Sequence, residues 1–263
     1  LLFNKPETLI KDIMETKVLY VNTYDDQEEV ANSFSKYDVN TMPVVDSENR
    51  MVGIITIDDI VDIMEQEATE DIEKMAAISP TDKPYMKTSV FETWKKRIPW
   101  LLLLMISATF TGKIIQTYEE ALASYVILTS FIPMFMDTGG NAGGQASVTI
   151  IRGISLKEIE FKDILKIMWK EFRVAILTGI TLAAANFIKL LVIDKVNMSI
   201  ASVVCLTLII TIIFAKIVGC TLPLLAKKVG FDPAVMASPF ITTIVDALSL
   251  ITYFQIATIL LGL

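Results

Sequence analysis

The chain of 263 residues is long enough for one large domain or two small ones, is 53% hydrophobic and contains no histidine. That removes the commonest general base and the commonest zinc or copper ligand, and the two cysteines, Cys205 and Cys220, lie in apolar stretches, which argues against a disulfide scaffold or a thiolate metal centre. Charge is divided: 20 acidic and 8 basic residues precede Trp94, against 10 and 15 from Trp94 onward, so an acidic polar segment leads into a strongly apolar one and no nucleic acid is expected as a partner.

Leu1 opens the chain without a methionine or a signal-peptide pattern, so the chain is expected to be part of a longer protein. Val18 to Met64 read as strand, helix, strand, strand, helix. Asp25-Asp26 opens a helix through Phe34. Met42 to Val45 and Met51 to Thr56 are short strands around a turn at Ser47-Glu48-Asn49, and helical spacing returns from Ile57 with Ile60, Ile63 and Met64. This order, with Met42-Pro43-Val44-Val45-Asp46 and Val52-Gly53-Ile54-Ile55-Thr56-Ile57-Asp58-Asp59, resembles a CBS domain. The resemblance implies that residues 1–17 end a first CBS domain and residues 18–72 form a second. It also places Thr56 and Asp59 where such domains often bind the ribose of an adenine nucleotide, which would make ATP a ligand. Threonine and aspartate are equally favoured as helix caps, the other reading of the pair.

Glu67, Glu70 and Asp71 follow at helical i, i+3 and i+4 spacing and share a face on which like charges repel. Such a face is either solvated or relieved by a cation, and carboxylates with water are what Mg²⁺ prefers. Pro80 and Pro84 interrupt the connecting region 73–97, so its regular helix is expected to begin near Thr88.

Five apolar stretches come next: Ile98 to Gly112, Ala121 to Ile151, Val174 to Ile193, Met198 to Ala226 and Ala234 to Leu263. About 20 apolar residues suffice for a helix to cross the hydrocarbon of a bilayer. The expected fold is therefore an α-helical membrane protein, with five transmembrane helices over residues 98–263 preceded by a small α/β domain. Lys95, Lys96 and Arg97, the basic residues between Arg152 and Arg173, and Lys227 and Lys228 fall on one side, against only Lys113 and Lys195 on the other. By the positive-inside rule the acidic segment is cytoplasmic and the C-terminus outside, in a multi-pass plasma-membrane protein. Gly153 to Lys170 has helical apolar spacing, which predicts a helix lying on the membrane surface or leading into the third span.

Two carboxylates fall inside these spans, where a charge costs about 2.5–3.5 kcal/mol on insertion scales and usually faces a cavity or an ion path. Asp137 belongs to Asp137-Thr138-Gly139-Gly140-Asn141-Ala142-Gly143-Gly144-Gln145. Its glycines allow either close helix approach or irregular backbone around a watery cavity, and Asn141 and Gln145 are i, i+4. Asp246 lies about a dozen residues into the last stretch. Pro239 is expected to free a carbonyl one turn earlier, Thr242 and Thr243 add hydroxyls, and Thr242 shares a helix face with Asp246.

The run Thr138-Gly139-Gly140-Asn141-Ala142-Gly143-Gly144-Gln145, followed by Asp232-Pro233-Ala234 and Ser238-Pro239-Phe240-Ile241-Thr242-Thr243-Ile244-Val245-Asp246, resembles the MgtE magnesium channels, as does Glu67-Ala68-Thr69-Glu70-Asp71-Ile72 between a CBS domain and five spans. The resemblance implies a homodimer with one pore on its two-fold axis, lined by the second and fifth spans. In that pore Asp246, with Thr242 and Asn141, would hold a hydrated Mg²⁺, and Asp137, Gly139, Gly140, Gly143, Gln145, Pro239 and Thr243 would line the path. It further implies that Glu67, Glu70 and Asp71, joined by Asp59 and Asp62, sense cytosolic Mg²⁺, and that residues 73–97 form a plug helix.

Three other functional classes compete with that reading. A secondary transporter coupled to Na⁺ or H⁺ could relay charge through Asp137, Lys216 and Asp246. A membrane-anchored nucleotide sensor would need neither Asp246 nor the glycine run. An intramembrane aspartyl protease lacks the Gly-X-Gly-Asp pattern around Asp246, so no enzyme is expected.

Overall fold

The computed structural model describes residues 5, 7–81 and 83–262, and the chain divides into two compact units, residues 1–69 and 70–263. In the first unit, strand β1 (Val21–Asn22) is followed by helix α1 (Gln27–Tyr37), strands β2 (Thr41–Val45) and β3 (Met51–Thr56), and helix α2 (Ile57–Met75), the order expected from the sequence. The sheet runs β1-β2-β3, β1 parallel to β2 with Val21 opposite Val44, and β3 antiparallel to β2 with Met42 opposite Ile55. The Asp26 carboxylate starts α1 by accepting from the Glu28 and Glu29 N–H groups, and α1 ends at Asp38, whose φ of 50° is left-handed. Val21, Val30, Ala31, Phe34, Met42 and Ile60 form the small core beneath the sheet.

The second unit contains the last residues of α2 and helices α3 (Val90–Thr117), α4 (Glu119–Ser124), α5 (Ile132–Ser155), α6 (Ile164–Val192), α7 (Met198–Lys228) and α8 (Ser238–Leu261). Ser89 caps α3 by accepting from the Glu92 N–H, so the connecting helix starts two residues after the expected Thr88. Among the described residues four helical stretches are long and apolar enough to cross a membrane: Val90–Thr117, Phe161–Val192, Met198–Lys228 and Pro233–Leu261. The membrane-surface alternative for Gly153 to Lys170 is not what forms. A turn at 156–160 separates α5 from a short 3-10 turn, Phe161–Asp163, that leads directly into α6.

The expected second span is the main departure. Ala121 to Ile151 is not one helix. It is divided among α4, a 3-10 segment at Val126–Phe131, and α5. Pro133 fits in the first turn of α5, where no N–H is needed, but it disfavours helix in the residue before it. At 24 residues α5 rises about 36 Å, enough to cross hydrocarbon. Its glycines and polar side chains leave it less apolar than the other four. The central helix of the bundle is α7, which packs on α5, α6 and α8. Tyr253 of α8 is fully buried, and its hydroxyl donates to the Leu128 carbonyl at 2.9 Å, tying α8 to the segment before α5.

Candidate functional site

α5 is a regular helix with two faces of different chemistry. Gly139, Gly140 and Gly143 are buried against α8 and α7. A Cβ on Gly140 would stand 2.6 Å from Thr242 Cγ2, one on Gly143 2.6 Å from Ile241 Cγ2, and one on Gly139 2.7 Å from Val245 Cγ1. These glycines therefore serve close helix approach, and the irregular backbone considered as the alternative does not form. A fourth glycine, Gly219 on α7, was not singled out from the sequence. A Cβ there would collide with the Gly143 carbonyl, which belongs to backbone and cannot rotate away. Gly219→Ala is expected to destabilise the bundle by about 1–3 kcal/mol, as overpacked cores do, read as a lower unfolding temperature in detergent.

The other face of α5 presents Asp137, Asn141 and Gln145, each one turn beyond the last, and all three are exposed. Three polar side chains at i, i+4 and i+8 make a continuous stripe along a membrane-length helix. Facing lipid, such a stripe would be strongly unfavourable.

Asp246 lies eight residues inside α8, about 12 Å along its axis from Ser238 and about a dozen residues into the apolar stretch that opens at Ala234, as expected. Its Oδ1 is buried with no hydrogen-bond partner, as are Ser147 Oγ, Thr211 Oγ1 and Asn186 Nδ2. Leaving a buried carboxylate oxygen unmatched is costly, so this atom is poised for something that brings its own donors. Pro239 does not free a carbonyl in mid-helix as expected, because α8 begins at Ser238 and the proline sits in its first turn. Its own carbonyl accepts from both hydroxyls, Thr242 at 2.9 Å and Thr243 at 3.1 Å, which leaves the two hydroxyl oxygens as acceptors. Thr242 lies one turn before Asp246 and touches α5 at Gly140, beside Asn141. Asp246, Thr242 and Thr243 thus place acceptor oxygens in the first three turns of α8.

The acidic run on α2 is less open than its sequence suggests. The Lys74 ammonium pairs with Glu70 and with Asp232, the latter at 2.5 Å, just ahead of α8. Burial works against the charge on Lys74, but the hydrogen bonds to Asp232 and Glu70 outweigh it and hold the ammonium above its ordinary range. Asp71 accepts from the Ser155 hydroxyl at the end of α5 at 3.2 Å, and Met75 packs against Ile151, Ala234 and Ala237. The end of α2 is thus fastened to both segments that carry the polar intramembrane residues. Nearer its start, Glu67 accepts from Gln27 at 2.6 Å, and Asp62 is exposed. Asp59 accepts from the Thr56 N–H at 3.1 Å and the Thr56 hydroxyl at 2.8 Å, the arrangement of a helix cap. Among the described residues no three carboxylates converge on one point.

Lys216, 5% exposed on α7, pairs with Glu171 of α6 at 3.7 Å. Among the described residues no hydrogen bond or ion pair connects it to Asp137 or Asp246.

Comparison with known proteins bears on what this arrangement does. Residues 132–256 match the MgtE family model, described as a divalent cation transporter, and residues 10–66 match the CBS domain. The CBS match begins inside the segment expected to close a preceding CBS domain. The Thermus thermophilus protein named "Magnesium transporter MgtE" is 36% identical over 260 residues, 97% of this chain and 56% of that protein. The proteins of the same name from Bacillus subtilis and Enterococcus faecalis are 38% and 33% identical over 98% of this chain and again 56% of each relative. The chain therefore spans just over half the length of the curated relatives it matches.

Proposed function

This chain belongs to the MgtE family, and from that premise we propose that it conducts Mg²⁺ across the plasma membrane as a homodimeric channel with five spans per chain, α5 supplying the second. The observation that carries the reading is the buried, unpartnered Asp246 oxygen, one turn beyond Thr242 on a helix that packs against α5 at Gly140. Water molecules on Mg²⁺ donate to these acceptors, and the negative charge offsets the cost of bringing a divalent ion into low dielectric. The stripe of Asp137, Asn141 and Gln145 is the surface a second copy would turn into a water-filled path. Gly139, Gly140, Gly143, Pro239 and Thr243 support that path through backbone packing and the first turn of α8.

The CBS side is cytoplasmic and the C-terminus outside, in keeping with the basic residues flanking the spans. Cytosolic Mg²⁺ closes the channel by bridging acidic surfaces that include Asp59, Asp62, Glu67, Glu70 and Asp71, with residues 73–97 carrying the closure to α3. In a single chain these carboxylates are dispersed along α2, so bridging needs partners beyond their immediate neighbours. ATP stays outside the proposal, because Thr56 and Asp59 direct their polar groups at each other.

Channel conduction is tested by loading liposomes with a Mg²⁺-sensitive dye and imposing a Mg²⁺ gradient alone. Flux should persist without Na⁺ or pH gradients, and a requirement for either would favour a coupled transporter. A second test addresses regulation. Lys74→Met removes the ammonium shared by Glu70 and Asp232, which are about a third exposed. An ion pair so placed contributes up to about 1 kcal/mol, so flux at low cytosolic Mg²⁺ should rise about 2–5-fold. The two freed carboxylates should also make suppression by high Mg²⁺ steeper. An unchanged concentration dependence would remove Lys74 from gating.

A further inference from the structure

Just ahead of the first membrane span, a cleft of about 520 Å³ opens between the 3-10 turn Tyr85–Lys87 and the first turns of α3. Val90, Trp94, Arg97 and Leu101 line it along one helix face, at successive steps of four, three and four residues. Val90, Trp94 and Leu101 are all more than half exposed, although they sit where the chain passes from a basic cluster into an uncharged run. The Phe91 and Trp94 rings pack tilted with centroids 5.3 Å apart, and aromatic side chains at the start of an apolar span are enriched at membrane interfaces.

The polar groups around the cleft point to the occupant. Arg97 makes no hydrogen bond or ion pair among the described residues. Its neighbours are engaged: Lys83 pairs with Glu92 at 3.0 Å, and Lys96 donates to the Pro80 carbonyl. The Thr88 and Thr93 hydroxyls donate to the carbonyls of Pro84 and Ser89, so their oxygens remain as acceptors in the cleft lining. Among the described residues that line the cleft there is no carboxylate. The site therefore offers a planar cation, two hydroxyl acceptors and an apolar floor that continues down α3 through the exposed Leu101 and Met105.

We propose that this cleft binds an anionic phospholipid: Arg97 holds its phosphate, Thr88 and Thr93 accept from headgroup hydroxyls, and an acyl chain lies along Leu101 and Met105. A guanidinium fork matches phosphate geometry, and basic residues at a membrane surface favour anionic lipid. The volume suits a headgroup with its glycerol backbone rather than a whole lipid. A second copy of the chain is the poorer occupant, since it would bring another Arg97, Lys95 and Lys87 to a cleft whose described lining already carries Arg97 and holds no carboxylate.

The test uses the full chain with Trp94 as its sole tryptophan (Trp100→Phe, Trp169→Phe), reconstituted in phosphatidylcholine vesicles containing a minor fraction of brominated phosphatidylglycerol or of brominated phosphatidylcholine. Brominated phosphatidylglycerol should quench Trp94 at about five-fold lower lipid fraction than brominated phosphatidylcholine. Arg97→Gln should bring the two to parity. Lys95→Gln, the same charge loss outside the cleft, should preserve the preference, and matching helical content by circular dichroism would show that both variants are folded. Equal quenching in the parent, or a preference that survives Arg97→Gln, overturns the proposal. Absence of quenching by either lipid overturns it too, because Trp94 would then be covered by protein.

Discussion

Asp246→Ala is expected to reduce Mg²⁺ flux in liposomes by about 100-fold or more while leaving the bundle folded. A hydrated Mg²⁺ keeps its centre about 5 Å from a carboxylate oxygen, where a 2:1 charge pair at an effective dielectric near 20 is worth about 6–7 kcal/mol. Losing under half of that already gives the stated factor. Stability should not fall, because Asp246 Oδ1 has no partner to lose and removing an unmatched buried carboxylate is neutral or favourable. Asp246→Asn separates charge from shape: it retains an acceptor oxygen and the side-chain volume, so flux near that of the alanine variant would assign the effect to charge. Asp246→Glu should retain part of the flux. Unaltered flux in the alanine variant, measured with the same dye and gradient, would remove Asp246 from the pathway and with it the reading built on Asp246 and Thr242.

How much of this was readable from sequence depends on whether the signal is local. The strand and helix order of the first unit follows from period and turn residues within a few positions of each other, and β1 to α2 form in that order, with α1 running three residues past the expected Phe34. The start of α3 was legible to within two residues because Pro80 and Pro84 interrupt the segment before it. The break between α4 and α5 was hidden, because apolar residues continue unbroken through it and hydropathy does not register backbone geometry. Asp246 announces itself as a charge in an apolar run. What the glycines of α5 do could not be read from α5 alone, since it depends on Thr242, Ile241, Val245 and Gly219 arriving from α7 and α8. The Lys74–Asp232 pair joins residues 158 positions apart, and nothing in either segment singles out the other. Glu67, Glu70 and Asp71 share a helix face as their spacing predicts, and Lys74, one turn after Glu70, neutralises part of it, an i, i+4 pairing that the sequence itself offered.

Variants of the Lys216–Glu171 pair separate a channel from a coupled transporter that relays charge through Lys216. Both side chains are largely buried, 7% and 14% exposed, between α6 and α7. Removing one partner of a buried pair strands the other charge, which costs about 3–5 kcal/mol, whereas replacing both with apolar residues of similar volume is commonly neutral or stabilising. Lys216→Met alone and Glu171→Leu alone are each expected to lower the unfolding temperature in detergent markedly, and the double variant is expected to recover most of the loss, a coupling far outside additivity. The same three proteins should be followed by Mg²⁺ flux at several pH values. If the pair is structural, the refolded double variant conducts at the parent rate with the parent pH dependence, because among the described residues Lys216 makes no hydrogen bond or ion pair with Asp137 or Asp246. If Lys216 moves protons during transport, the double variant is stable and inactive, and that combination would overturn the channel reading in favour of coupling. Stability and flux recovered together would leave Asp246, Thr242 and the polar stripe of α5 to carry the ion unaided.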